Sequence, residues 1–180
     1  MSTAANCPTF MAKLAERHEV AEHTMAFQFE KPAGWTFKAG QFVDMTLLNP
    51  PETDAEGNTR GFSIRSAPHE PTIMVTTRVR DTAFKRVLKT MPIHSEVKVG
   101  GPFGNLTLHN NATRPAVLLA GGIGITPFRS IQMLDRHLKA VVSPQWYTAG
   151  PIYYIVGPPQ MVRDLQTMVT NAVWMGMTFA

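Results

Sequence analysis

The segment Arg60-Gly-Phe-Ser-Ile64 combines three kinds of side chain that could hold a charged, planar ligand. An arginine pairs with phosphate, an aromatic ring stacks on a heterocycle, and a small hydroxyl donates to a ring nitrogen. This spacing would suit a flavin that lies across the ends of strands. Taken alone the motif is weak, because an ordinary edge strand with a solvated arginine has the same composition.

A second basic segment, Arg78-Val-Arg-Asp-Thr-Ala83, lies where a strand over Thr72–Arg78 runs into a short helix. The pattern predicts that Asp81 or Thr82 caps this helix and that it ends before Pro92. Free backbone N–H groups and the positive end of the helix dipole would form an anion site beside the two arginines. The alternative is a helix whose charged residues simply face water.

The third motif is a glycine-rich turn between an apolar run, 116–120, and an amphipathic helix that reaches about Lys139. In Gly121-Gly-Ile-Gly-Ile-Thr-Pro127, the glycines permit a tight turn with close ligand approach. Thr126 is predicted to cap the helix and Pro127 to be its first residue. The spacing differs from the dinucleotide fingerprint Gly-x-Gly-x-x-Gly, so a strand-to-helix turn without a ligand stays open.

The fourth motif is the turn Gly157-Pro-Pro159, which follows an apolar strand at 152–156 and precedes a helix at 159–172. In an open α/β sheet, ligands gather at the carboxyl ends of the strands. We therefore expect this turn to lie beside the glycine-rich turn. The alternative interpretation is a rigid connection with no ligand.

Two different kinds of element must position these motifs. From Phe10 to Leu108, short β-type runs are broken by Gly, Pro and Asn, including a loop at 49–58, which favours an antiparallel barrel or sandwich. We place one domain at 8–112 and a second at 113–180. Two strand and helix pairs make a marginal parallel sheet. The second domain therefore packs on the barrel, is a deletion remnant, or is completed by a homo-oligomer.

Composition excludes several classes of protein. The 180 residues carry a formal charge of +4 without a block of like charges, so we expect no nucleic-acid partner. Cys7 is the single cysteine, which excludes an internal disulfide, a thiolate iron–sulfur cluster and a zinc ribbon. The six histidines show no paired metal-ligand spacing, so no metal site is expected. With no apolar run of membrane-spanning length, we expect a cytoplasmic protein.

In their order along the chain, the four motifs resemble the ferredoxin-NADP+ reductase family of FAD-dependent oxidoreductases. The signature of that family is Arg-x-Tyr-Ser, a diphosphate-binding helix start, Gly-Gly-x-Gly-x-Thr-Pro, and a late Cys-Gly-Pro-Pro turn. The resemblance spans roughly residues 10–172 and is densest at 60–132. It implies a β plus α/β fold: an antiparallel Greek-key β-barrel that binds FAD, followed by a truncated Rossmann-like lobe that binds NAD(P).

The resemblance also assigns roles to residues. Arg60 would bind the flavin diphosphate or ribityl chain, Phe62 would stack on the isoalloxazine, and Ser63 would lie near flavin N5 as the catalytic residue. The remaining FAD-binding positions would be Ile64, Thr76, Thr77, Arg78, Arg80, Thr82 and Ala83. The nicotinamide dinucleotide would bind at Gly121, Gly122, Gly124, Thr126 and Pro127, with Gly157, Pro158 and Pro159 near the nicotinamide.

The implied activity is hydride transfer from NAD(P)H to flavin N5, with electrons passed on to ferredoxin, another redox protein or a small-molecule acceptor. The chain departs from the family pattern at Phe62, where a tyrosine is usual, at Thr82, where glycine is common, and at Val156, where many members have cysteine. Its second lobe is shortened after Lys139. A non-catalytic flavin-binding or assembly module, or a basic β-barrel interaction domain, therefore stays open as an alternative.

Overall fold

The computed structural model describes residues 8–134 and 150–175 of the protein. The first part of the chain forms six strands and one helix: β1 Thr9–Ala21, β2 Thr24–Glu30, β3 Phe42–Leu47, β4 Thr59–Ser63, β5 Thr72–Arg78, α1 Ala83–Thr90 and β6 Glu96–Phe103. The second part consists of β7 Ala116–Ala120, a 3-10 turn at Gly122–Gly124, α2 Ile125–Leu134, β8 Ile152–Val156 and α3 Pro159–Met175.

The six strands β1–β6 form one antiparallel sheet in the order β4-β3-β6-β1-β2-β5. The sheet curls so that its edge strands approach each other, where Ile64 and Val75 form an isolated bridge. Arg65 N–H also donates to Met74 O at 2.7 Å across this junction. The predicted antiparallel barrel is confirmed, although strand pairing between β4 and β5 is limited to this junction.

Alternation along the strands builds the core of the barrel. In β3, for example, Val43, Met45 and Leu47 point inward while the residues between them are more exposed. Such a period of two places one face of a strand against the core. The largest side chains that are fully buried in this core are Leu14, Phe27, Phe29, Met45, Ile64, Ile73, Phe84 and Leu88.

The helix α1 packs its apolar face into the barrel core. Ala83, Phe84, Val87 and Leu88 are buried, a spacing of three and four residues that puts them on one side of the helix. The chain leaves the helix after Thr90, before Pro92, as predicted. Helix α1 starts five residues after the end of β5, and its first residue, Ala83, is buried.

The second part of the described chain is a partial α/β lobe. Strands β7 and β8 pair in parallel, from Ala116 with Ile152 to Ala120 with Val156. From α2, Phe128 and Ile131 are buried in a cluster that contains Ala39 of the barrel and that Leu106, Leu108, Leu118, Tyr154 and Val156 contact. The predicted partial lobe is therefore confirmed, and it packs directly on the barrel.

Some predictions concern residues outside these ranges. The expected continuation of α2 to about Lys139 and the shortened connection near Val141 lie outside the described residues. The domain boundary between residues 112 and 113 stays a prediction. Among the helices of residues 8–134 and 150–175, none is both long and apolar enough to cross a membrane.

Because the barrel and the lobe pack closely at their junction, we expect two glycine substitutions to differ sharply in their effect on the free energy of unfolding. Gly40 has φ +96°, and a Cβ there would lie 1.9 Å from Leu106 O and 3.2 Å from Ile131 Cδ1. Gly34 also has a positive φ, +77°, but a Cβ there would enter open space among the described residues. We expect Gly40→Ala to lower the free energy of unfolding by at least about 2 kcal/mol more than Gly34→Ala, as measured by urea denaturation. Equal losses would contradict the close packing of this junction.

Candidate functional site

A cleft of about 240 Å³ lies between the barrel and the glycine-rich turn. Two of the predicted motif segments, the flavin motif and the glycine-rich turn, contribute to it, together with β5 and the first turn of α1. Its lining residues are Arg60, Gly61, Phe62, Ser63, Thr76, Thr77, Lys85, Ile123 and Thr126. Since small-molecule pockets commonly measure about 300–1,000 Å³, this cleft would enclose one part of a dinucleotide and leave the rest on the surface.

Phe62 connects the cleft to the barrel core. Its side chain is only 7% exposed, and its ring lies 5.8 Å from the ring of Phe84 at an interplanar angle of 38°. Most of the ring surface is therefore buried against the core, and a small part faces the cleft. The neighbouring Ser63 is half-buried in the cleft wall, at the end of β4 where its backbone pairs with Phe42.

Two threonines of β5 form the polar part of the cleft wall. Thr76 is 8% exposed and Thr77 is 6% exposed. The hydroxyl oxygen of Thr76 is buried and has no hydrogen-bond partner among the described residues. Leaving a buried hydroxyl without a partner is unfavourable by roughly 1–3 kcal/mol. A polar ligand atom in the cleft would remove that penalty.

Arg60 is fixed at the edge of the cleft by the loop that precedes β4. Its guanidinium donates to the carbonyls of Glu56, Gly57 and Thr59 at 2.8, 3.1 and 2.8 Å. It also pairs with the carboxylates of Glu56 at 2.8 Å and Asp54 at 3.4 Å. The guanidinium carbon lies 5.2 Å from the centre of the Phe84 ring, in a cation–π contact. Arg60 is therefore held in a single position while still lining the cleft.

The N-terminus of α1 is capped by a residue that the sequence did not reveal. Thr82 occupies the N-cap position, but its side chain makes no capping hydrogen bond, and Asp81 pairs with Arg86 instead. The carboxylate of Asp54 accepts the Ala83 N–H at 2.9 Å, across 29 residues of sequence. The prediction that the helix begins after Thr82 as its N-cap residue is therefore confirmed, but the side chains of Asp81 and Thr82 do not supply the capping hydrogen bond. The cap comes from a loop whose position depends on the tertiary structure.

Other predicted FAD contacts lie away from the cleft. Arg78 and Arg80 are exposed and do not line it, and Ile64 is fully buried in the barrel core. Lys85, which was not predicted as a site residue, does line the cleft and donates to Arg78 O at 2.8 Å. Burial lowers the pKa of Lys85, and the neighbouring charges of Arg80 and Arg60 lower it further. The cleft is thus lined by two basic residues, Arg60 and Lys85.

The glycine-rich turn and the turn after β8 pack against each other, as predicted. Gly121 N–H donates to Val156 O at 2.8 Å. A Cβ on Gly124 would lie 2.3 Å from Val156 O, and one on Gly157 would lie 3.1 Å from Gly121 N. These glycines therefore allow two backbones to touch. Gly122, Pro158 and Pro159 are exposed, and the cleft is lined from this region by Ile123 and Thr126.

The start of α2 differs from the prediction. The helix begins at Ile125, directly after the 3-10 turn, so Thr126 and Pro127 are its second and third residues. The Thr126 hydroxyl donates to Ile123 O at 2.7 Å. The prediction of Thr126 as the cap is therefore wrong, because the preceding turn already leads into the helix. Pro127 still lies in the first turn, where its missing N–H has no helical partner to lose.

A polar clamp joins α2 to the segment that follows β4. Arg129 donates to Arg65 O at 2.9 Å and pairs with the Glu70 carboxylate at 3.1 Å. The buried Ser130 hydroxyl donates to Ser66 O at 2.6 Å. Burial raises the pKa of Glu70, but hydrogen bonds from Arg129 and the Ala67 N–H outweigh it and hold the pKa below its usual value. The clamp fixes the glycine-rich turn relative to the cleft.

Comparison with known proteins gives relatives that are named as dual oxidases or as the reductase subunit of a monooxygenase. No protein-family model matches the chain. It is similar to dual oxidase 1 of Canis lupus familiaris, with 33% identity over 138 residues, 71% of this chain and 8% of that protein. It is also similar to the glycine betaine monooxygenase reductase subunit of Chromohalobacter salexigens, with 32% identity over 111 residues, 60% of this chain and 29% of that protein. The chain thus spans a small part of the curated relatives that it matches.

Among solved structures, the ferredoxin reductase in carbazole 1,9a-dioxygenase, in its FAD apo form, superposes with a TM-score of 0.70. The identity is 16%, over 93% of this chain and 63% of that chain, which establishes a shared fold. The chain therefore has the fold of this ferredoxin reductase. At the position where the resemblance implies a cysteine, the chain has Val156, whose carbonyl accepts a hydrogen bond from the glycine-rich turn.

Because of the polar clamp, we expect the free energy of unfolding of this protein to depend on pH. Because the pKa of Glu70 is depressed in the folded state, its stabilising effect is present above the ordinary value of 4.5 and is lost as the pH falls through the lower folded value. We expect Glu70→Gln to lower the free energy of unfolding by about 1 kcal/mol at pH 7, and the difference from wild type to shrink below pH 4.5. Chemical denaturation at several pH values measures this.

The control for this prediction is Glu30→Gln, which removes an exposed carboxylate at the end of β2. It should change the stability less than Glu70→Gln at pH 7. A Glu70→Gln protein as stable as wild type at pH 7 would show that the clamp does not stabilise the junction.

Proposed function

We propose that this chain is the flavin-binding part of an NAD(P)H-dependent flavin oxidoreductase of the ferredoxin-NADP+ reductase type. The observation that carries the proposal is the shared cleft. Residues of the flavin motif, Phe62 and Ser63, line it together with Ile123 and Thr126 of the glycine-rich turn. A flavin held by the first motif would therefore lie next to a dinucleotide received by the second.

The residues present fit FAD. Thr76 offers a buried hydroxyl without a partner among the described residues, and Arg60 offers a guanidinium at the cleft edge. Arg60 would pair with the diphosphate, and the exposed part of the Phe62 ring would contact the isoalloxazine. Bound FAD would supply the capacity to accept a hydride and release electrons singly. The chain would bind it, orient it and keep water from one face.

Ser63 is the proposed catalytic residue. It stands at the end of β4 in the cleft wall, next to Phe62. There its hydroxyl would donate a hydrogen bond to the flavin atom that receives the hydride. This bond would stabilise the charge and the proton at that atom. Thr126 and Ile123 lie across the cleft, where the nicotinamide would approach.

The dinucleotide is proposed to bind at the glycine-rich turn. Gly121, Gly122 and Gly124 would admit it closely, and Gly157, Pro158 and Pro159 would border the nicotinamide. Support comes from the contact of these two turns at the carboxyl ends of the parallel strands β7 and β8, the usual position of ligands in such sheets.

The electron acceptor is proposed to be a redox protein or a small molecule. One relative is named as the reductase subunit of a monooxygenase and one structural neighbour as the reductase of a dioxygenase. By analogy, an oxygenase component or its ferredoxin is the favoured class of protein acceptor. A homo-oligomer that completes the two-stranded sheet, and a cytoplasmic location, stay predictions.

Binding of FAD is the first test of this proposal. The purified chain should be yellow or become so with added FAD. Since a charge-assisted hydrogen bond is worth about 1.5–3 kcal/mol, we expect Arg60→Gln to raise the Kd for FAD at least about tenfold. The control is Arg163→Gln, on the exposed face of α3. A folded wild-type chain with no affinity for FAD would refute the proposal.

Reduction by NADH and NADPH, followed anaerobically by stopped flow, tests the catalytic part. We expect one or both to bleach the flavin, and Ser63→Ala to slow the bleaching about tenfold or more while the Kd for FAD changes little. Ser95→Ala, in the turn before β6 and outside the cleft, should leave the rate unchanged. If excess NADH and NADPH both leave bound FAD oxidised, the chain is a flavin-binding or assembly module, a function that its two-stranded lobe would favour.

A further inference from the structure

We propose that the segment Glu52–Glu56, called here the acidic strap, occupies the anion site of this chain and must leave it before a diphosphate can bind. The inference rests on the proposed function, since the diphosphate is that of FAD. It concerns residues that the family resemblance does not assign. The strap belongs to the loop between β3 and β4 and carries three carboxylates within five residues.

Asp54 is the central residue of the strap. One carboxylate oxygen accepts the Ala83 N–H at 2.9 Å, and the other accepts from Arg60 Nη2 at 3.4 Å. It thus bridges the N-terminus of α1 and the arginine of the flavin motif. These are the two donor groups that the sequence predicts for a diphosphate, and both already donate to a carboxylate of the same chain.

The other two acids hold the strap in place. Glu56 accepts from Arg60 Nη2 at 2.8 Å, so Arg60 is shared by two carboxylates. Glu52 forms a two-point contact with Arg86 of α1, at 2.6 and 3.0 Å. Within the strap, Asp54 also accepts the N–H of Glu56 at 3.0 Å and, through its carbonyl, that of Gly57 at 2.9 Å. The strap is therefore a folded turn bound to the cations around the helix start.

Two anions cannot use this site together. The Ala83 N–H and the Nη2 of Arg60 each donate in a fixed direction. A phosphate oxygen that accepted these hydrogen bonds would therefore displace the Asp54 oxygens that accept them now. A carboxylate left beside a diphosphate would also repel it, and partial burial strengthens that repulsion because screening is weak. Asp54 is about two-thirds buried and Arg60 more than four-fifths. Binding of the diphosphate therefore requires the strap to move.

A separate observation supports a polar ligand in the neighbouring space. The Thr76 hydroxyl, in a residue that is 8% exposed, has no partner among the described residues. Thr76 and Arg60 line the same cleft. The strap therefore lies at the edge of a ligand site. It satisfies the Ala83 N–H of α1 and, at the same time, sets the affinity of that site for anions.

The decisive variant is Asp54→Asn. The amide oxygen of asparagine can still accept the Ala83 N–H, so α1 keeps this partner, while the competing charge is removed. We expect the Kd for FAD to fall about tenfold relative to wild type, as measured by fluorescence titration. The matched control is Glu52→Gln, which removes one charge from the same strap but frees Arg86 rather than Arg60 or Ala83. Because Glu52 only anchors the strap through Arg86 and does not occupy the anion site, the Kd of this variant should fall less than that of Asp54→Asn.

Amide hydrogen exchange gives a readout independent of affinity. When FAD or inorganic pyrophosphate is added to wild type, the amides of Glu56 and Gly57 should exchange faster as the strap leaves, while that of Ala83 stays protected by its new partner. If Asp54→Asn binds FAD no better than wild type, or if Glu52→Gln gains as much affinity for FAD as Asp54→Asn does, the strap does not compete with the diphosphate. Unchanged exchange at Glu56 and Gly57 in the bound state would equally overturn the proposal.

The same measurements separate this proposal from the proposed function. If neither wild type nor Asp54→Asn binds FAD, the proposed function fails. Amide hydrogen exchange at Glu56 and Gly57 with added pyrophosphate then tests the strap proposal alone. If only Asp54→Asn binds FAD, both proposals are supported, and the strap holds the wild-type site closed. If wild type binds FAD and Asp54→Asn binds it more weakly, the proposed function stands, and Asp54 orients Arg60 instead of competing.

Discussion

The packing of α2 against the barrel is the contact on which the rest of the site depends. Phe128 and Ile131 bury their side chains beside Ala39, and the Ser130 hydroxyl donates to the carbonyl of Ser66 in a fully buried hydrogen bond. Apolar burial supplies the attraction, and the buried polar group fixes the register, because it is unfavourable for that group to lose its partner. The glycine-rich turn immediately precedes this helix, so its place beside the cleft follows from the same contact.

Two sets of paired charges organise the electrostatics of the site and its surroundings. At the cleft edge, the carboxylates of the acidic strap meet the guanidinium of Arg60 and the start of α1. Away from the cleft lining, Glu70 meets Arg129. The first set of contacts involves groups suited to an external anion, whereas the second joins two elements of the protein. Similar ion pairs thus serve different purposes, and what distinguishes them is whether a cleft lies beside them.

The fold shared with a ferredoxin reductase and the proposed function give this arrangement a chemical meaning. The barrel wall at β4 and β5 and the turn before α2 meet at one cleft, which is the geometry that the proposed hydride transfer between donor and acceptor would need. The lobe that would bind the donor contains two parallel strands in the described residues. The barrel is the more complete of the two parts, with a large apolar core, and it carries most of the cleft residues.

The sequence by itself determined the fold class and most of the elements, although it did not reveal β1 as a strand. Alternation in β3 and β5, the apolar runs of β7 and β8, and the four ordered motifs depend on neighbours along the chain, so local patterns predict them. The sequence also placed Arg60, Phe62, Ser63, Thr76, Thr77 and Thr126 among the site residues that line the cleft. Only the tertiary structure decided that Ile64 lies in the core, that Arg78 and Arg80 stay outside the cleft, and that Asp54 caps α1. Those outcomes depend on how a curled sheet brings together residues far apart in sequence, and no local spacing encodes that distance.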